Sequence, residues 1–214
     1  MRVFFRLSLL ALVFCCLAAC QSGGDNTLTI KTTEGDVVVQ LFDETPLHKE
    51  NFLKLAREGF YEGTLFHRVI PNFMIQGGDP QSVGAPAGQP LGSGGPGYLV
   101  DAEIGQPHLR GALAAARTGN PQKRSSGSQF YIVTGQPQSD ATLDQYERMK
   151  NIKYNDAQRA AYKTEGGRPD LDQEYTVFGM VVSGMDVVDR IGGAATGPGD
   201  RPVKDVMIEK VIVN

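Results

Sequence analysis

The chain has 214 residues, 41% of them hydrophobic and 21% charged, with a formal net charge of −3. That is room for one domain, or at most two small ones, around a sizeable apolar core. The mildly acidic balance and the lack of a basic run exclude an electrostatic footprint for nucleic acid. No His-Glu-x-x-His, P-loop or Gly-x-Ser-x-Gly elbow points to zinc proteolysis, nucleotide hydrolysis or acyl transfer.

At the start of the chain, Arg2 and Arg6 precede an apolar run from Leu7 to Leu17 that is too short to span a bilayer comfortably. Its end, Leu17-Ala18-Ala19-Cys20, resembles a bacterial lipoprotein signal. On that reading residues 1–19 are a signal peptide and Cys20 is the lipidated first mature residue. The plainer alternative is a secretory signal cut after a small residue. The expectation is a membrane-anchored lipoprotein of the cell envelope, facing the periplasm or the exterior. Cys15, Cys16 and Cys20 are the three cysteines, so the rest of the chain has no disulfide. Residues 20–26 form a short polar linker before a domain spanning 27–214.

Leu28 to Thr33 and Asp36 to Phe42 are strand-like runs joined at Glu34-Gly35, a hairpin signal. Thr45 suits an N-cap and Pro46 a first helical position, with Phe52, Leu55 and Ala56 at helical spacing and Gly59 as the stop. His48 in that helix reads as a solvated or capping residue. Next comes FHRVIPNFMIQGGDP, Phe66 to Pro80, in which Phe66, Arg68 and Ile70 alternate with His67 and Val69 as on a strand. One arginine beside apolar residues suits a site that binds something greasy and pulls on one polar atom. His67, on the opposite face, reads as a structural hydrogen-bonding residue.

Gly84 to Gly97 is rich in glycine and proline; it follows no clear strand and opens no amphipathic helix, so it is an irregular loop and not a phosphate cradle. Asp101 and Glu103 read as surface acids. Phe130 to Val133 and Tyr175 to Gly179 read as buried strands, Ser183 to Ile191 as a short helix begun by a Ser cap, and Val206 to Val213 as a closing strand. Between them, about 138–169, lies a charged, tyrosine-rich segment in which Asn155 and Gln158 form a capping pair before a helix ending at Gly166-Gly167. It reads as a helical insertion, either a solvated decoration or a selector of clients. Many short strands with two core helices argue for an all-β barrel.

Phe66 to Pro80, with GALAAARTG (Gly111 to Gly119), SGSQFYI (Ser126 to Ile132) and YTVFGMVVSGMDVVDRI (Tyr175 to Ile191), resembles in order the blocks of the cyclophilin-type peptidyl-prolyl isomerases. The resemblance runs from about Thr27 to Asn214, apart from the insertion. It implies a closed eight-stranded antiparallel β-barrel capped by two α-helices. The implied activity is peptidyl-prolyl cis-trans isomerisation of proline-containing, unfolded or partly folded chains, with no cofactor. Arg68 and Gln76 are then the catalytic pair. Phe73, Met74, Phe130 and Leu171 wall the proline pocket, although core packing is the plainer role of each. Gln129 and Gln76 hold the substrate backbone, and the backbone of Ala116 and Arg117 pairs with it as a strand. Tyr131 stands where many members have phenylalanine and Tyr175 where a histidine is common. Asp170 replaces a tryptophan of cyclosporin-sensitive members, which implies weak cyclosporin binding. An alternative is a proline-segment binding chaperone or assembly module with incidental turnover. Nothing resembles a coiled coil, so a monomer is expected.

Overall fold

The computed structural model describes residues 26–214; the leader, Cys20 and the linker up to Asp25 lie outside the described residues. β1 (Thr27–Thr32) and β2 (Gly35–Leu41) pair antiparallel, with Leu28 opposite Val39 and Ile30 opposite Val37. Those four side chains are buried while their neighbours point outward, so the hairpin already presents one core wall. α1 (Pro46–Arg57) packs a stripe of Phe52, Leu53, Leu55 and Ala56 against that core.

Thr45 is at the N-cap, as the sequence indicates, but its side chain makes no capping bond. Glu103 does so from far along the chain. Its carboxylate accepts from the backbone N–H of Leu47 and of His48, both at 3.0 Å, and lies 2.6 Å from His48 Nδ1. A negative group there satisfies orphan amides and meets the positive end of the helix dipole. Glu103 is therefore no idle surface acid, whereas Asp101 is exposed and pairs with Arg124 at 2.8 Å. His48, expected to be solvated or capping, is buried between Glu103 and Ser125 Oγ at 2.9 Å. Burial lowers its pKa, and the bond and charge of Glu103 oppose that shift.

The remaining strands are β3 (Arg68–Ile70), β4 (Met74–Gly77), β5 (Leu99–Val100), β6 (Ala112–Ala115), β7 (Ser125–Ser126), β8 (Phe130–Val133), β9 (Val177–Ser183) and β10 (Ile208–Val213). Eight of the strands form one antiparallel sheet in the order β10-β1-β2-β9-β6-β8-β4-β3, while β5 and β7 make a separate pair. The two edges of the large sheet meet in a short seam. Phe66 N–H donates to the Val206 carbonyl at 2.9 Å, Gly63 N–H to that of Ile208 at 2.8 Å, and Ile208 N–H to that of Thr64 at 2.7 Å, around a Leu65–Met207 bridge. The expected eight-stranded barrel is thus present, closed by loop-borne bonds in place of a full ladder. α4 (Met185–Gly192) covers it with Val187, Val188 and Ile191. Ser183, expected as the cap of α4, ends β9 instead. The capping position is Gly184, at φ +85, where a Cβ would come within 2.3 Å of the Asp36 carbonyl.

Inside the barrel the rings of Phe52, Tyr61 and Phe66 meet Phe130 edge to face, with centroids 5.5, 5.7 and 6.0 Å from it. The insertion holds α2 (Asp140–Lys150) and α3 (Asp156–Thr164) around a small cluster of Leu143, Tyr154 and Tyr162. Ser139 caps α2, and Asn155 with Gln158 forms the expected capping box at 2.9 and 3.0 Å.

Candidate functional site

β3 and β4 fold back on each other through Pro71 and Asn72, which sets Arg68 directly across from Gln76. β4 then pairs with β8, so that Gln76 faces Tyr131, and β6 puts Ala114 on the other side of Tyr131. The chain leaving the insertion adds Leu171, from the turn Pro169–Leu171, and Tyr175. Together Arg68, Phe73, Met74, Gln76, Ala116, Arg117, Tyr131, Leu171 and Tyr175 line one cavity of about 150 Å³. That is below the roughly 300–1,000 Å³ of pockets for drug-sized ligands and suits a single small ring.

Phe130 does not line this cavity. Alternation along β8 turns it into the barrel, where it is 1% exposed among Phe52, Tyr61 and Phe66, while Tyr131 takes the outer face. Gln129 sits at the border with a neighbouring groove of about 510 Å³ that also touches Gln76, Ala116 and Arg117. Its amide is fully engaged. Nε2 donates to the carbonyls of Gly92 at 3.0 Å and Gly94 at 2.7 Å, and Oε1 accepts from Gln76 Nε2 at 3.0 Å. Gln129 thus orients Gln76 and the 92–94 loop, and its donor is not free for a substrate. Loop residue Gly94 leaves room for Asp79, whose Oδ1 a Cβ would approach to 2.1 Å. Ala116 differs from expectation too. Its N–H donates to the Gln129 carbonyl and its own carbonyl accepts from Ser126 N–H, so it offers the cavity a methyl group and no free strand edge.

Arg68 is about half exposed, and its Nε donates to Asp200 Oδ2 at 3.3 Å. This holds the guanidinium from one side and leaves its terminal nitrogens as donors for the cavity. Arg168 lies over the Phe73 ring at 4.0 Å and forms a fork with Asp170 at 2.8 and 2.7 Å. Asp170, where the resemblance replaced a tryptophan, therefore faces Arg168. Arg117 lies over the Tyr175 ring at 4.8 Å, tied to the Glu174 carbonyl at 2.9 Å and its carboxylate at 3.1 Å. Tyr131 meets Tyr175 edge to face at 5.8 Å, and its hydroxyl lies 3.0 Å from His108 Nε2. Burial pushes that hydroxyl well above the usual tyrosine range, with Tyr175 and nearby acids adding to the shift, so it stays a neutral phenol. His67 turns away from the cavity. It is buried, and burial lowers its pKa while Asp79 and the Leu65 backbone oppose that shift.

Sequence reasoning did not find Asp200, Arg168, His108 or Asp172. No spacing rule marks them, because Asp200, His108 and the turn carrying Arg168 and Asp172 reach the site from three separate loops. The arrangement as a whole offers a fixed cation, an oriented amide and an apolar hollow.

Residues 27–213 match the family model for cyclophilin type peptidyl-prolyl cis-trans isomerase/CLD. A Streptococcus pyogenes protein named as a bifunctional phosphatase/peptidyl-prolyl cis-trans isomerase is 40% identical over 189 residues, 87% of this chain. This chain spans only 38% of that relative's length. A Staphylococcus aureus protein named as a peptidyl-prolyl cis-trans isomerase is 35% identical over 191 residues, covering 89% of this chain and 92% of its own. Among solved structures, a Cryptosporidium parvum cyclophilin type peptidyl-prolyl cis-trans isomerase superposes with a TM-score of 0.63 at 26% identity, over 88% of this chain and 97% of that one. It was also solved in the presence of the dipeptide Ala-Pro, with a TM-score of 0.62 to this chain, 25% identity and coverage of 88% and 98%.

Proposed function

The chain belongs to the cyclophilin-type peptidyl-prolyl cis-trans isomerases, and from that premise we propose how it turns the prolyl bond and where it works. Resonance gives the prolyl amide a rotation barrier of about 18–20 kcal/mol, and unaided exchange takes on the order of tens to hundreds of seconds. Millisecond turnover requires lowering that barrier by roughly 5–7 kcal/mol. No covalent bond need form. Twisting the amide localises a lone pair on the proline nitrogen, and a donor waiting there favours the twisted form over either planar one.

Arg68 supplies that donor, with a guanidinium charged at every working pH. The proline ring occupies the hollow of Phe73, Met74, Tyr131 and Leu171. Gln76, whose amide N–H donates to Gln129, turns its carbonyl toward a substrate N–H. The observation that carries this reading is that Arg68 and the apolar walls line one small cavity. The cavity is complete within one copy, so the activity belongs to the monomer. The test is a protease-coupled peptide assay on the full-length chain. Arg68→Ala should cost about 100-fold in kcat/KM, the scale of losing one preorganised donor. Equal rates for both proteins would overturn the mechanism.

The place of work is the cell envelope, with Cys20 carrying the lipid, and proline-containing segments of chains that fold there are the substrates. The pattern of Arg2, Arg6, Leu7 to Leu17 and Leu17-Ala18-Ala19-Cys20 supports this reading. Cys20→Ser should move the protein out of the membrane fraction, and a variant that stays there would reject the anchor.

A further inference from the structure

Asp172 is 2% exposed, yet both of its oxygens are fully engaged. Oδ1 accepts from the backbone N–H of His108 at 2.7 Å and lies 2.8 Å from His108 Nδ1. Oδ2 accepts from the hydroxyls of Tyr154 at 2.6 Å and Tyr162 at 2.7 Å. A buried acid is costly unless donors meet its lone pairs, and here four donors converge on an acceptor-only carboxylate. His108 Nδ1 therefore carries a ring proton.

The other end of the His108 ring meets Tyr131. That hydroxyl is 3.0 Å from Nε2 and has no second partner among the described residues. If Nε2 were protonated, the phenol proton would be left unpaired on a residue only 5% exposed. A bare Nε2 lets Tyr131 donate to it and satisfies every group. The bonds then run in one direction, from Tyr131 to His108 to Asp172. They also hold the phenol proton away from the cavity, which meets the tyrosine as an apolar ring.

We propose that Asp172 is a positioning residue for the proline pocket, acting through His108 to fix Tyr131, and that the two-helix insertion is thereby part of the pocket wall. This rests on the isomerase reading above. Tyr154 and Tyr162 both belong to the insertion, and Lys150 at the end of α2 donates to the Asp172 carbonyl at 2.7 Å. Arg168 braces Phe73 from the same segment, and Leu171 follows it into the cavity. The insertion thus supports the aromatic side of the site and is more than solvated decoration.

Two measurements on the full-length chain test this. The chain has three histidines, so the ring nitrogens are readable by 15N NMR, with His108 assigned by its loss in His108→Gln. The expected result is a protonated Nδ1 and a bare Nε2. A proton on Nε2 overturns the relay, and this readout decides even if the following variant does not fold. In the peptide assay, Asp172→Asn should lower kcat/KM by about tenfold, the scale of a misaimed pocket wall. In a Tyr131→Phe background the same change should cost less than about twofold, because the bond it acts through is already gone. Equal losses in both backgrounds would make Asp172 a general structural residue and sink the proposal. A wild type without turnover would reject the isomerase reading while the tautomer result still stood.

Discussion

Phe130 and Tyr131 are neighbours on β8 but belong to regions held together by different forces. Phe130 lies in the barrel interior, where Phe52, Tyr61 and Phe66 crowd it edge to face and the contacts are ring against ring. Tyr131 lies on the outer face, between Tyr175 and His108, with its hydroxyl bonded into a buried polar chain. The interior depends on area removed from water, a force without direction. The outer face depends on aimed contacts: Asp172 to His108, Arg168 to Asp170, Arg117 to Glu174. Burial makes a barrel stable, but a pocket also needs its walls held at fixed angles, and hydrogen bonds supply that.

The sharpest way to break this division is Phe130→Ala, which should cost about 3–5 kcal/mol of stability in urea denaturation. The folded fraction should keep kcat/KM within a few-fold of wild type. If folded Phe130→Ala were inactive, interior and outer face would not be separable. The converse substitution is Leu171→Ala, on a half-buried side chain of the cavity. It should cost about tenfold in kcat/KM, roughly 1.4 kcal/mol, and less than about 1.5 kcal/mol in stability. A stability loss as large as that of Phe130→Ala would place Leu171 with the core. The smallest effect is expected from Asn155→Ala, which opens the α3 capping box at a cost of about 1 kcal/mol. Hydrogen exchange should then rise in α3 and in residues 171–175 while the barrel strands stay protected. Rising exchange in the barrel as well would show that both regions open together.

The barrel was largely legible because its signals are local. The β1–β2 hairpin, α1 with Pro46, and the Asn155–Gln158 box each follow from residues a few positions apart. Most of the cavity was legible through motif resemblance, since Arg68, Phe73, Met74, Gln76, Tyr131, Leu171 and Tyr175 converge on it. Phe130 was misassigned even though alternation with Tyr131 is written in the chain; the motif lists the two residues side by side and says nothing of facing. Long-range polar partners were not legible. Glu103 caps a helix more than fifty positions away, and Asp172 gathers His108, Tyr154 and Tyr162 from three segments. Such bonds depend on how loops come to rest, which neither period nor composition records.

The pairing of β1 with β10 has a consequence for how the chain is made. Thr29 and Asn214, 185 positions apart, touch at 3.2 Å, and β1 lies beside β10 in the finished sheet. On a ribosome, β1 and β2 are made well before β10, so the outer edge of β1 waits for every element between them. Such distant pairings are slow to form, and an unpaired edge meanwhile invites other strands. A prolyl isomerase thus carries a slow pairing step of its own, and proteolysis before Ile208 would strand the sheet half wrapped.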